Sequence, residues 1–406
     1  MQYEYLKKNV VILKLMSMYK TDARWNWLQT LLYYCWRTIW YYSLLSTVFY
    51  LILEIALNES KQDMTYISIS FMHLGLFASI SIRTMHFILN LDTAEKLIQK
   101  IREEFQPGTK LANRPVTMEA TYRWCERFFT VWTAFVIFAG LMMAVAVVLN
   151  PEREMVLPVW TFYDWKTTPA YQITIFLQTM SQLNMVISFS NLDLLSMCFM
   201  VLSAEQFRIL AADFASTVED AFRACGCSQK QLEDLDMNVD AIVRSSKFQR
   251  RLRQNFNGCI EQHQKLLNLF TAYQRFVSPN LVIEVYFNYI YMIFTLYVFV
   301  ATSDTSLYLG LSQYCLGSVL QIYLLCYFGQ QLSTSVEEMR LALYTVPWYV
   351  VNNKSFLQNY HIVLMRMKRP VRIVAGKILP LANDTFLEFM KKAFSSFTVL
   401  RQMQLK

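Results

Sequence analysis

Leu307-Tyr-Leu-Gly-Leu-Ser-Gln-Tyr-Cys-Leu-Gly-Ser-Val-Leu-Gln-Ile-Tyr-Leu-Leu-Cys-Tyr-Phe-Gly-Gln-Gln331 contains no Asp, Glu, Lys or Arg. As a helix rising about 1.5 Å per residue, it outreaches a hydrocarbon core of about 30 Å. The same reading carried outward finds candidate spans near 38–57, 66–90, 128–149, 171–202 and 279–302, and a more polar seventh near 378–403. Over 406 residues, 55% are hydrophobic and 17% charged, whereas soluble domains carry roughly a quarter charged. The pattern predicts an all-α membrane protein with seven transmembrane helices and excludes a soluble enzyme.

Charge sets the orientation. Lys7, Lys8, Lys14, Lys20 and Arg24 precede the first span, and these interruptions leave no cleavable signal peptide, so the first span is expected to direct its own insertion. Seven Lys/Arg fall in 91–127, ten in 203–278 and seven in 332–377. The alternate loops hold Lys61, then Arg153 and Lys166, then none in 303–306. Positive residues mark the cytoplasmic side, which predicts a cytoplasmic N-terminus and, after seven spans, an extracellular C-terminus. G-protein-coupled receptors face the other way, and the third span closes as Val147-Val148-Leu149-Asn150 with no Asp-Arg-Tyr-like end.

Eight cysteines show no framework spacing, and four histidines form no metal-ligand pattern, so neither a metal nor another cofactor is expected. The glycines form no phosphate-cradling loop. Nothing points to nucleic acid; the bilayer is the partner that composition demands. Three Asn-x-Ser/Thr sequons, at Asn58, Asn353 and Asn383, leave only Asn58 outside in this topology, too close to a span to favour modification.

The segment 203–278 carries helical stripes: Phe207, Leu210, Phe214, Val218 and Phe222, then Phe256, Ile260, His263, Leu267 and Phe270. They read as cytoplasmic extensions of spans four and five, flanking the acidic Glu233-Asp234-Leu235-Asp236. Pro279 suits the first turn of the fifth span. Arg83, Asp193 and Glu284 are ionisable groups within spans, for which interhelical pairing or snorkelling is expected. His73 has no acidic partner in sequence and reads as a hydrogen-bonded packing residue.

In the last span Asp384, Glu388, Lys391, Lys392, Ser395, Val399 and Gln402 share one helical stripe, with Met403 at its end. Two readings fit: a helix lining an aqueous pore, or an interfacial helix lying flat on the cytoplasmic leaflet.

Five separated blocks then carry a resemblance: Gly310-Leu-Ser-Gln-Tyr-Cys315, Cys326-Tyr-Phe-Gly-Gln-Gln-Leu332, Ala342-Leu-Tyr-Thr-Val-Pro-Trp348, Ala375-Gly-Lys-Ile-Leu-Pro-Leu381 and Phe394-Ser-Ser-Phe-Thr-Val-Leu400. With Leu157-Pro158, Trp160, Asp164-Trp165, Pro169 and Tyr171, their order resembles the insect odorant receptors. The resemblance implies a ligand-tuning subunit of a tetrameric non-selective cation channel, paired with a shared odorant co-receptor in the plasma membrane of sensory dendrites. It implies spans 1–4 and the ligand region in 1–202, a cytoplasmic anchor in 203–278, spans 5–6 in 279–331, a further anchor segment in 332–377 and a pore-lining helix in 378–406. Val399, Gln402 and Met403 then fall at the constriction, with Arg401 a departure nearby. Gustatory receptors share the architecture and are the alternative; a G-protein-coupled receptor is a more distant one.

A small volatile ligand would sit among the outer parts of spans two, three, four and six, as in that family. Apolar and aromatic candidates there are Met72, His73, Leu76 and Phe77; Val136, Phe138, Gly140 and Met143; Tyr171, Phe176 and Met180; Tyr308, Leu311 and Gln313. Tyr308, Gln313 and His73 would supply polar contacts. Each of these residue types also packs ordinary helix cores.

Overall fold

The computed structural model describes residues 6–19, 25–57, 64–112, 116–149, 155–227, 239–301, 305–351, 353–368 and 370–404. Its helices are α1 (Lys7–Leu15), α2 (Trp27–Leu57), α3 (Met64–Leu89), α4 (Leu91–Glu104), α5 (Glu119–Leu149) and α6 (Ala170–Ala215). They continue as α7 (Thr217–Ala224), α8 (Val239–Arg244), α9 (Ser246–Ala301), α10 (Thr305–Thr345), α11 (Lys354–Met367) and α12 (Asn383–Gln404). Among the described residues five of these, α2, α3, α5, α6 and α9, are long and apolar enough to cross a membrane. Asn58, Lys61, Arg153 and the acidic run 233–236 lie outside the described residues.

The long helix α6 is the centre of the bundle. α2, α3, α5, α9 and α10 all pack on it. Its C-terminal half is buried almost all round, from Ser188 through Phe214. Between helices at membrane depth, close packing and interhelical hydrogen bonds replace the hydrophobic effect, because lipid is as apolar as leucine. The α2–α6 seam follows that rule. Asn184 Nδ2 donates to the Trp40 carbonyl and to Ser43 Oγ, both at 2.7 Å, and the Thr47 and Ser181 hydroxyls lie 2.7 Å apart.

The extensions read from the sequence are continuous with their helices, and the one break expected, at Pro279, is absent. α6, α9 and α10 each run unbroken, over 46, 56 and 41 residues. Pro279 is therefore a correction: it lies inside the 56-residue α9, not in a first turn. A proline there lacks one backbone donor. A short antiparallel pair, β1 (Val374–Ala375) and β2 (Leu379–Pro380), docks beside it and departs from an all-helical chain. Gln274 brackets Val374 through both its amide atoms, and Ser278 Oγ donates to the Gly376 carbonyl at 2.9 Å. Gly376 turns this hairpin at φ +67°, a left-handed conformation that glycine adopts without Cβ strain.

The helical stripes of 203–278 are satisfied within the chain. Phe207, Leu210, Phe214, Val218, Phe222, Phe256, His263 and Phe270 are all buried. Phe214 meets Phe256, which meets Phe356 of α11. Polar contacts fix the neighbouring loop: Asp213 Oδ1 accepts from the Lys110 and Leu111 amides, and Gln206 pairs with the backbone of Gln106. Asn353 caps α11, accepting from the Ser355 and Phe356 amides, so its sequon serves a helix N-terminus.

Two of the separated sequence blocks meet in space. A Cβ on Gly329 would lie 2.6 Å from both the Cβ and the carbonyl oxygen of Leu381, so only glycine permits this approach. The contact holds α10 against the segment that launches α12, and Tyr323 meets Phe386 edge-on beside it. α12 packs on α9 and α10 through Thr385, Phe389, Ala393 and Phe397. The Tyr289 and Ser396 hydroxyls lie 2.6 Å apart across the same seam.

Candidate functional site

α5 and α10 both pack on α6 and meet each other near the N-terminal end of α5, where Phe328 touches Trp124 and Phe128. Farther toward the C-terminal end of α5 a cavity of about 210 Å³ lies between them. One wall is apolar: Leu76 of α3, Trp132, Phe135, Val136, Ala139 and Gly140 of α5, and Leu316 and Leu320 of α10. α6 contributes Met185, Val186 and Phe189, and α9 contributes Tyr291. A cavity of about 150 Å³ lined by such groups takes up benzene, so this one has room for a ring and a short substituent.

The polar groups gather on α6, α9 and α10: Gln182, Ser190, Asp193, Asn288, Ser318 and Gln321. Most of them face one another. Ser318 donates to Asn288, and Gln321 Nε2 donates both to Asp193 and to Glu284 Oε1, the latter at 2.9 Å. Arg83 Nη2 bridges the same two carboxylates, lying 3.2 Å from Glu284 Oε2. The Arg83 guanidinium also covers the Phe189 ring at 5.3 Å. Arg83, Asp193 and Glu284 are 2%, 3% and 1% exposed, so four helices are tied at one buried ionic point beneath the cavity. Interhelical pairing, expected for these three, is what the structure has. Ser190 lines the cavity, and its hydroxyl makes no hydrogen bond within the described residues.

Of the sequence-predicted ligand residues, Leu76, Val136 and Gly140 line the cavity. Met72 and Leu311 do not; they are buried in a small neighbouring cluster with Tyr297, Val298, Tyr291 and Phe397. Phe77 is core, and His73 is buried with Nδ1 2.9 Å from the Ile69 carbonyl. Phe138, Phe176 and Met180 are 63%, 61% and 46% exposed and do not line the cavity. Tyr171 packs beside Trp165 at the start of α6, also outside it. The side chains of Met143, Tyr308, Gln313 and Met403 lie outside the described residues. Sequence reasoning missed the whole contribution of α9, and it missed Gln182, Ser190, Asn288, Ser318 and Gln321. The available signal was a recurrence of uncharged polar residues inside otherwise apolar spans.

On α12, Asp384, Glu388, Lys391, Lys392, Ser395, Val399 and Gln402 are all exposed, opposite the face that packs on α9 and α10. Glu388 and Lys392 pair at 3.5 Å across one turn, with both side chains about two-thirds exposed. No group of three or more His, Cys, Asp or Glu among the described residues is placed to hold a metal ion.

The architecture is that of a multi-pass helical membrane protein with an internal cavity of ligand size. Residues 63–394 match the 7tm odorant receptor family, and the chain belongs to that family. It is thus an odorant receptor in class, a membrane receptor of olfaction and not an enzyme. It is 21% identical over 335 residues to odorant receptor 83a of Drosophila melanogaster, covering 76% of this chain and 73% of the other. The fold matches the olfactory receptor OR5 from Machilis hrabei with a TM-score of 0.74 at 12% identity, over 98% of both chains. It also matches the same receptor solved in complex with eugenol, with a TM-score of 0.73 at 13% identity and the same coverage.

Proposed function

We propose that this chain is the odorant-tuning subunit of a ligand-gated, non-selective cation channel, acting in a heterotetramer with the odorant co-receptor in the plasma membrane of sensory dendrites. The observation that carries the ligand reading is the cavity: mostly apolar, about 210 Å³, with hydrogen-bonding groups gathered on one side. Such a site suits a small neutral volatile with an apolar body and one oxygen-bearing group. A structural neighbour that holds eugenol supports that ligand class. Seven spans are counted as α2, α3, α5, the outer parts of α6, α9 and α10, and α12, with the N-terminus inside and the C-terminus outside. The inner parts of α6, α9 and α10, with α7, α8 and α11, form the cytoplasmic anchor.

The pore assignment rests on α12. Its exposed stripe from Asp384 to Gln402 needs water or protein beside it, because charged groups facing lipid are costly. Four such helices around an axis would give an aqueous path for cations, narrowed at Val399, Gln402 and Met403. The test is voltage clamp on cells expressing this chain with and without the co-receptor, G-protein signalling blocked, under 1-hexanol, isoamyl acetate, linalool and eugenol. Current that needs both subunits and at least one of these volatiles supports the reading. Response surviving only through G-protein signalling would overturn it.

A further inference from the structure

The cavity is not closed on all sides. Phe135 and Leu316 both line it, yet they are 52% and 66% exposed on the outer surface of the bundle. They sit on α5 and α10, which touch through Phe328, Trp124 and Phe128 near the N-terminal end of α5 and separate beyond that point. The opening therefore faces sideways.

On the α5 side that opening is bordered by apolar groups. On α5, Val131, Phe138, Leu141 and Met142 are exposed. Only 17% of the most apolar stretch of α5 is buried, so this helix presents its length to the surroundings of the bundle. α12 lies against α9 and α10, while α5 packs on α6. Acyl chains are the occupant that matches an exposed apolar face on a membrane-spanning helix.

We propose that odorants enter and leave the cavity laterally, from the hydrocarbon core of the bilayer, through the cleft between α5 and α10 whose rim is Phe135 and Leu316. This rests on the cavity being the odorant site. Each apolar group of a neutral volatile favours its leaving water, so the ligand accumulates in the bilayer before it meets the receptor. Passage through this cleft then takes it from one apolar medium to another, with no return to water.

A rim residue acts on both directions of passage alike, whereas a contact residue acts mainly on departure. Leu316→Trp narrows the cleft, and Phe135→Ala widens it. With the most potent of the four volatiles above under rapid perfusion, Leu316→Trp should slow onset and washout together, each by at least about threefold. Phe135→Ala should speed both. Rates unchanged in both variants, or a half-maximal concentration that follows washout alone, would overturn lateral passage. Val136→Phe, which extends an inner wall residue into the cavity, separates the two readings. If it abolishes the response while the rim variants leave the rates untouched, the cavity stands and the lateral route falls. If it changes nothing, the cavity is not the odorant site and both readings fall.

Discussion

Replacing Arg83 by methionine keeps much of the side-chain volume and removes the one cation that bridges Asp193 and Glu284. Both carboxylates would then remain buried, 3% and 1% exposed, sharing the single amide nitrogen of Gln321. Breaking a buried ion pair from one side costs about 3–5 kcal/mol, because the abandoned charge cannot reach water. Set against a total stability of about 5–15 kcal/mol, that lowers the folded-to-unfolded ratio by roughly 10²- to 10⁴-fold. The measurement is thermal unfolding of purified receptor in detergent, with surface expression beside it. Arg83→Met should unfold at a clearly lower temperature and reach the surface poorly. The triple variant Arg83→Met, Asp193→Asn, Glu284→Gln should recover most of the loss, since no bare charge is left behind. A single variant as stable as the unmodified chain, or a triple no better than the single, would refute the reasoning that charge balance holds this point together.

Shortening Leu76 to Ala should raise the half-maximal odorant concentration by roughly 10- to 100-fold, the scale of about 1.5–3 kcal/mol for one buried aliphatic side chain, while surface expression holds. Val399→Ser should raise current without odorant and Gln402→Ala should alter reversal potential in complexes shown to contain this subunit, with a C-terminal tag reachable on intact cells; a tag found inside removes α12 from the pore. Burial, helped by Arg366, pushes the His263 imidazole down from 6.5 to about 4. The unfolded chain therefore takes up a proton that the folded chain refuses, so stability is full above about pH 6.5 and falls by up to about 3 kcal/mol as pH drops toward 4; melting curves should show this, and His263→Gln should flatten it. Gly329→Ala should lower the melting temperature without changing odorant rank order, because its Cβ meets the Leu381 backbone.

The spans were legible in the sequence because a run such as 307–331 has one physical use. The last ninety residues were legible for a different reason: their blocks mark contacts, as Gly329 against Leu381 shows. The inward and outward faces were not legible. Phe138, Phe176 and Met180 are the residue types of a core, yet they lie on the outside. In a membrane protein lipid rewards the same side chains that a core does, so apolar character cannot tell one face from the other. Polar residues within spans carry that information instead. Asn288, Ser318 and Gln321 have nowhere to go but inward, and they mark the cavity side of α9 and α10. Pro279 misled because its usual meaning is a boundary, and the long-range hairpin at Gly376 that docks beside it has no local signal.

The ionic point beneath the cavity also bears on how the chain is made. Arg83 and Asp193 lie 110 residues apart, and Glu284 arrives later still. A lone Arg or Asp within an inserting helix costs up to about 2.5–3.5 kcal/mol, most at its middle, so α3 and α6 are ill at ease in lipid until they find each other. α9 has the same difficulty until Glu284 reaches the arginine. A chain halted before α9 keeps a membrane-buried arginine short of one partner, and a chain with α3 misplaced strands two acids. The cluster thus separates finished receptors from unfinished ones by a debt of charge, which is the kind of difference that quality control in the secretory pathway can sense.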